Sequence, residues 1–191
     1  MKLDIILSGV GGQGILSIAA IIGHAALAKG WYIKQAEVHG MSQRGGDVQS
    51  NLRISDQPIA SDLIARRAAD IVIALEPMEA LRYVPYLTPD GVVVSSSLPF
   101  VNIPTYPDQE KLMAELRGSR QRVILLDVEA LAQQNEVTRA ANMVLLGAAA
   151  GSLGLDYSLL EQGVASVFGA KGQAVVDMNI KALEVGRAAA Q

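Results

Sequence analysis

The chain has 191 residues, a net charge of −3, half its residues apolar, 4% aromatic and no cysteine. Those values exclude a disulfide framework, a thiolate-held iron–sulfur cluster or cysteine zinc site on this chain, and a basic surface that tracks nucleic-acid phosphates. Only 18% of residues are charged, against roughly 25% in a typical soluble domain, which points to a surface covered by a partner.

Leu3, Ile5, Ile6 and Leu7 open the chain as a buried strand. Met1-Lys2 leads straight into it with no charged leader region, hydrophobic region and cleavage site, so a cytoplasmic protein is expected. Ser8-Gly9-Val10-Gly11-Gly12-Gln13-Gly14 follows. Gly9, Gly11 and Gly14 match G-x-G-x-x-G, in which absent side chains allow a tight turn and close approach of an anion to free helix N–H groups. The same pattern also serves as a tight connection that binds nothing.

A helix over Gln13 to Lys29 is apolar nearly all round, so its outer side should be covered. Its longest apolar stretch, Ile15 to Ala28, falls short of the ~20 residues of a membrane span. His24, inside that stretch, is expected to serve packing or an interface. Trp31 to Val38 reads as a second strand, and Glu37 lies roughly where a dinucleotide-binding domain keeps its ribose acid, about 20 residues on. Capping, or a salt bridge to Lys34 or Arg44, explains Glu37 equally well.

The chain then departs from a plain strand–helix–strand unit. The polar, glycine-containing segment His39 to Gly46 is followed by Asp47 to Ile54, which alternates like a half-exposed strand. In the segment, Arg44 can grip phosphate or carboxylate bidentately and Gly45-Gly46 free backbone N–H groups for the same ligand. A salt bridge from Arg44 to Glu37 or Asp47, and a structural His39, are the plainer alternatives. In an open α/β sheet this loop and the Gly9 turn should emerge at one rim and share a crevice.

Ser55-Asp56-Gln57-Pro58 is turn chemistry, Ile71 to Leu75 a buried strand stopped at Glu76-Pro77, and Pro77 to Arg82 a short helix. Pro89-Asp90-Gly91 reads as a turn and Val92 to Val94 as a strand. Pro99 to Pro107 should be extended loop or edge strand, Asp108 should cap a helix to Arg117, and Arg122 to Leu126 is the last strand. Helices follow over Thr138 to Gly151, Asp156 to Phe168 and Gln173 to Ala190. Asn142 is expected to brace the last helix layer without a ligand. With no linker or internal repeat, residues 1–191 read as a single domain: a Rossmann-like three-layer α/β sandwich with a mostly parallel sheet and a helical C-terminal part.

Three blocks carry a resemblance: Gly9 to Gly14, Glu37 to Gly46 with its specific His39-Gly40-Met41-Ser42-Gln43-Arg44-Gly45-Gly46 core, and Asn142-Met143 with Leu145-Leu146-Gly147-Ala148. They resemble the gamma-type component of 2-oxoacid:ferredoxin oxidoreductases, most of all the beta subunit of the indolepyruvate type. The resemblance implies a chain that works beside a large alpha subunit holding thiamine diphosphate and 4Fe-4S clusters. Together they decarboxylate an arylpyruvate oxidatively, reduce ferredoxin and release an acyl-CoA.

On that reading this chain binds no metal and lends coenzyme A contacts. Phosphate is held by Gly9, Gly11, Gly12, Gly14, Arg44, Gly45 and Gly46, in a pocket shaped by Gln13, His39, Ser42 and Gln43. Isolated, two copies can pair through the surface meant for the partner. The rival readings are a self-sufficient NAD-dependent oxidoreductase, resting on the glycine spacing and Glu37, and a non-catalytic nucleotide-binding module.

Overall fold

The computed structural model describes residues 1–39, 46–119 and 121–190, with the side chain of His39 left out. Among these residues six strands form one sheet: β1 (Lys2–Val10), β2 (Tyr32–His39), β3 (Asp47–Ser55), β4 (Ala69–Ala74), β5 (Leu87–Ser96) and β6 (Arg122–Leu126). Their order is β2-β3-β1-β4-β5-β6. β1, β4, β5 and β6 run parallel, while β3 is antiparallel to both β1 and β2. The second strand is thus followed by one that runs back beside it, as expected, and β3 is seated between β2 and β1.

Parallel strands covered on both faces need apolar residues on both, and β1 shows it: all but its first residue are buried. Ile5 and Leu7 face one core with Ile71, Ile73 and Val94, and Ile6 faces the other with Val72 and Val93. The first core is closed by α1 (Ile15–Ala28), α4 (Val128–Gln134), α5 (Ala141–Ala149), α6 (Tyr157–Phe168) and α7 (Gln173–Ala189). On the second side lie α2 (Pro77–Tyr83) and α3 (Gln109–Arg117), contributing Ala80, Tyr83, Leu112 and Leu116 to the buried set. The result is the expected three-layer sandwich.

The all-round apolar character of α1 has its cause in α6. Gly163 lies so close to α1 that a Cβ there would sit 2.7 Å from the Ile21 carbonyl oxygen. His24 escapes this cover: it is exposed, with Nδ1 3.3 Å from Ser166 Oγ. The expected Pro89-Asp90-Gly91 turn falls inside the span of β5. The register jumps from Ala69 opposite Leu87 to Ile71 opposite Val92, and a Cβ on Gly91 would lie 2.9 Å from the Leu87 Cβ, so residues 88–91 fold out as a turn between the two pairings. The Pro99 to Pro107 stretch joins no strand and runs as irregular loop.

At the end of the sheet away from the glycine turn, the buried Asp4 carboxylate takes a two-pronged contact from Arg53, at 2.7 and 2.9 Å, and Lys2 Nζ at 2.7 Å. Arg53 also donates to the Ser61 and Leu63 carbonyls at 3.0 Å, tying down the 56–64 loop.

The small residues read in the last helices allow α5 and α7 to touch backbone to backbone. A Cβ on Gly186 would fall 1.8 Å from the Val144 carbonyl oxygen, and one on Gly147 2.0 Å from that of Leu183. A Gly-to-Ala change inside an ordinary helix gains up to about 1 kcal/mol. Here Gly186→Ala must separate the helices, costing about 1–3 kcal/mol as an overpacked core does. A thermal melt should show a Tm lowered by roughly 2–10 °C; a raised Tm would refute the close crossing.

Candidate functional site

The site grows from the end of β1. Gly9 belongs to the strand, opposite Val48, rather than to the turn. It leaves room for the Gln13 side chain, whose Oε1 would lie 2.8 Å from a Cβ at that position. Gln13 Oε1 accepts the Val10 N–H at 2.7 Å and its Nε2 donates to the Leu75 carbonyl at 3.2 Å. The amide thus spans the carboxyl ends of β1 and β4.

Gly12 and Gly14 bend the chain at φ 103° and 90°, where side chains are strained. Gly14 is held from the far side: Asn142 Nδ2, at the head of α5, donates to its carbonyl at 3.2 Å. A Cβ on Gly14 would come 2.5 Å from that nitrogen. Gly14 precedes α1 without a side-chain cap, and no acidic residue occupies the first turn. Among the described residues, no acceptor meets the N–H groups of Gly12, Gly14, Ile15 and Leu16. Unpaired donors at a helix N-terminus attract an anion.

The antiparallel β3 brings the second loop to this rim. Val10 lies opposite Asp47, and the Gly11 N–H donates to the Gly46 carbonyl at 2.9 Å. Residues 40–45, with Ser42, Gln43, Arg44 and Gly45, and the side chain of His39 lie outside the described residues. Glu37 is exposed on β2 and accepts from Gln35 Nε2 at 2.7 Å. Two strand spacings, roughly 10 Å, separate β2 from β1, so Glu37 does not stand beside the glycine turn as a ribose acid must.

A crevice of about 470 Å³ opens across the carboxyl ends of β1, β4 and β5. It is lined by Gly11, Gly12 and Gln13, by Leu98 and Phe100, and by Arg139 and Asn142, with the Glu129 carboxylate also in the lining. A smaller hollow of about 350 Å³ lies on the β3 side of the turn against Val48 and Leu16. Arg139 is exposed and, among the described residues, has no carboxylate partner. Sequence reasoning missed it, although a lone arginine heading the apolar run 140–150 was a usable signal.

Glu76 was read only as the stop of a strand. It is completely buried, caps α2 by accepting the Glu79 N–H at 2.8 Å, and also accepts the Phe100 N–H at 3.3 Å and the Tyr106 hydroxyl. Burial, reinforced by the Glu76 carboxyl, raises the Tyr106 pKa, so the phenol stays a donor. On the α2 side of the sheet, burial raises the Glu79 pKa against the opposing pull of Arg82, 3.0 Å away. Burial likewise pushes Tyr83 up to about 12, and its hydroxyl donates to Gln49 on β3 at 3.2 Å. These bonds fix α2 and β3 against each other below the rim.

Comparison with known proteins assigns this geometry to a family. Residues 4–189 match the family described as pyruvate ferredoxin/flavodoxin oxidoreductase. An indolepyruvate oxidoreductase subunit IorB from Archaeoglobus fulgidus is 36% identical over 97% of this chain and 94% of its own length. The crystal structure of a keto/oxoacid ferredoxin oxidoreductase gamma subunit from Geobacter sulfurreducens superposes with a TM-score of 0.72, 26% identity and 98% coverage of both chains. The same fold recurs in a 2-oxoglutarate:ferredoxin oxidoreductase from Magnetococcus marinus with 2-oxoglutarate, coenzyme A and succinyl-CoA bound. The TM-score there is 0.79 and the identity 22%, over 99% of this chain and 31% of the Magnetococcus chain. Matched along nearly its whole length, the chain belongs to the pyruvate ferredoxin/flavodoxin oxidoreductase family, as a small gamma-type oxidoreductase subunit.

Proposed function

We propose that this chain is the small subunit of a cytoplasmic indolepyruvate-type 2-oxoacid:ferredoxin oxidoreductase and that its crevice receives the phosphate-bearing part of coenzyme A. The observation that carries the reading is the open N-terminus of α1. Gly14, Ile15 and Leu16, whose N–H groups meet no acceptor among the described residues, line the smaller hollow, and Gly11 and Gly12 line both it and the adjoining crevice, whose wall carries the Arg139 guanidinium.

The thiamine diphosphate and 4Fe-4S clusters belong to the large alpha subunit, since this sequence has no cysteine to hold a cluster. Thiamine diphosphate supplies the carbanion chemistry of decarboxylation when bound there. The arylpyruvate loses carbon dioxide, the electrons reach ferredoxin and the acyl group ends on the coenzyme A thiol. This chain orients coenzyme A for that transfer. The N–H groups of the turn and Arg139 hold phosphate, with Arg44, Gly45 and Gly46 as further phosphate ligands and His39, Ser42 and Gln43 shaping the pocket.

The purified chain alone should not reduce an electron acceptor with indolepyruvate and coenzyme A, whereas the chain mixed with its large subunit should; turnover by the chain alone would refute the assignment. In the complex, Arg139→Ala and Arg44→Ala should each raise the KM for coenzyme A about 10- to 100-fold, as loss of a charge-assisted hydrogen bond does, without moving the KM for the 2-oxoacid. An equal rise in both constants would point to loss of fold rather than of a phosphate contact. Titration of the chain with NADH should give neither fluorescence quenching nor heat; saturable binding would revive the dehydrogenase reading.

A further inference from the structure

The loop after β5 is built to present an apolar edge. Leu98, Phe100, Val101 and Ile103 are exposed by 46, 44, 61 and 41%. Elsewhere, exposed residues such as Leu27 and Leu63 stand singly, as on any soluble surface. Four large apolar side chains within six residues are a patch, and a patch of that kind marks a binding surface.

The loop does not collapse to hide them because its backbone is held from beneath. The Ser97 N–H donates to the Leu126 carbonyl at 2.8 Å and the Leu98 N–H to Ser96 Oγ at 3.1 Å. Glu76, completely buried, takes the Phe100 N–H and the Tyr106 hydroxyl. Burying a carboxyl group is costly unless each oxygen is satisfied, and here that cost secures a surface loop. Such bracing lowers the ordering entropy a partner must overcome.

We infer that the Leu98–Ile103 edge is the seat of the large subunit of the complex, which closes the crevice by resting on it. The inference builds on the functional reading above. Its argument for this occupant, rather than a second copy, is continuity: Leu98 and Phe100 also wall the crevice. Coenzyme A held there must meet the acyl group on the large subunit. A second copy on the same edge would cover the opening through which the two halves of the reaction meet.

The test uses the chain and its cognate large subunit, purified separately, with the dissociation constant read by sedimentation. Val101→Asp and Phe100→Ser should each weaken assembly roughly 10- to 30-fold, as removal of an interface anchor does. Leu27→Asp, at an equally exposed position on α1, should change it less than twofold, within the near-neutral range of most surface substitutions. Circular dichroism separates misfolding from lost docking, and Ile103→Ser replaces any variant that fails to fold.

Wild-type affinity in folded Val101→Asp and Phe100→Ser would overturn the inference. So would an equal loss in Leu27→Asp, or an effect confined to self-association of the isolated chain. Failure of the functional reading is read elsewhere, in a wild-type complex that assembles normally yet shows no turnover dependent on coenzyme A.

Discussion

The architecture of the rim depends on the side-chain amide of Gln13. Its oxygen takes the last N–H of β1 and its nitrogen reaches the carbonyl beyond β4, so a single group ties two neighbouring strands where they open into loops. Each such bond contributes about 1 kcal/mol net, which matters less than the geometry it imposes. Gln13 accepts the Val10 N–H and Asn142 donates to the Gly14 carbonyl. The N–H groups at the start of α1 meet no acceptor among the described residues. An acidic residue in the first turn of α1 would have neutralised them, and none is there.

Insertion of β3 supplies the second constraint. A parallel neighbour in its place would begin at the far end of the sheet and carry its preceding loop away from the glycine turn. Because β3 runs against β1, its first residue lies opposite the last residue of β1, and Gly46 reaches the Gly11 N–H. The same insertion moves β2, and Glu37 with it, to the edge of the sheet. One topological change therefore brings Gly46 to the glycine turn and carries Glu37 away from it.

Much of this was legible in the sequence because it is local. Buried runs such as Ile71 to Leu75, the cap Asp108 and the half-exposed strand that opens at Asp47 all follow from neighbours in the chain. What escaped depends on distant partners. Pro89-Asp90-Gly91 is the turn its composition announces, but that Leu87 before it pairs with Ala69 and Val92 after it with Ile71, so that the turn interrupts a single strand, is set by β4. Asn142 was expected as a brace, yet what it braces, Gly14, lies 128 positions away. Glu76 reads in sequence as the end of a strand; folding makes it the cap of α2 and the hold on a distant loop. His24 sits in an apolar run, and its exposed imidazole lies at the margin of the α1–α6 crossing, with Nδ1 3.3 Å from Ser166 Oγ, a partner 142 positions away.

The low charge content has a spatial meaning once these pieces are placed. On the proposed reading this chain, which has no cysteine for a thiolate-held cluster, contributes positioning. Positioning across two chains would require that ligand donors and the docking edge belong to one rigid body, because slack between them would displace a bound thiol from the reacting centre. Leu75 and Glu76 are adjacent in sequence: the first is gripped by Gln13 from the glycine turn, the second grips Phe100 on the apolar loop. The carboxyl end of β4 is thus the shared anchor that ties the glycine turn and the apolar loop to one point of the sheet.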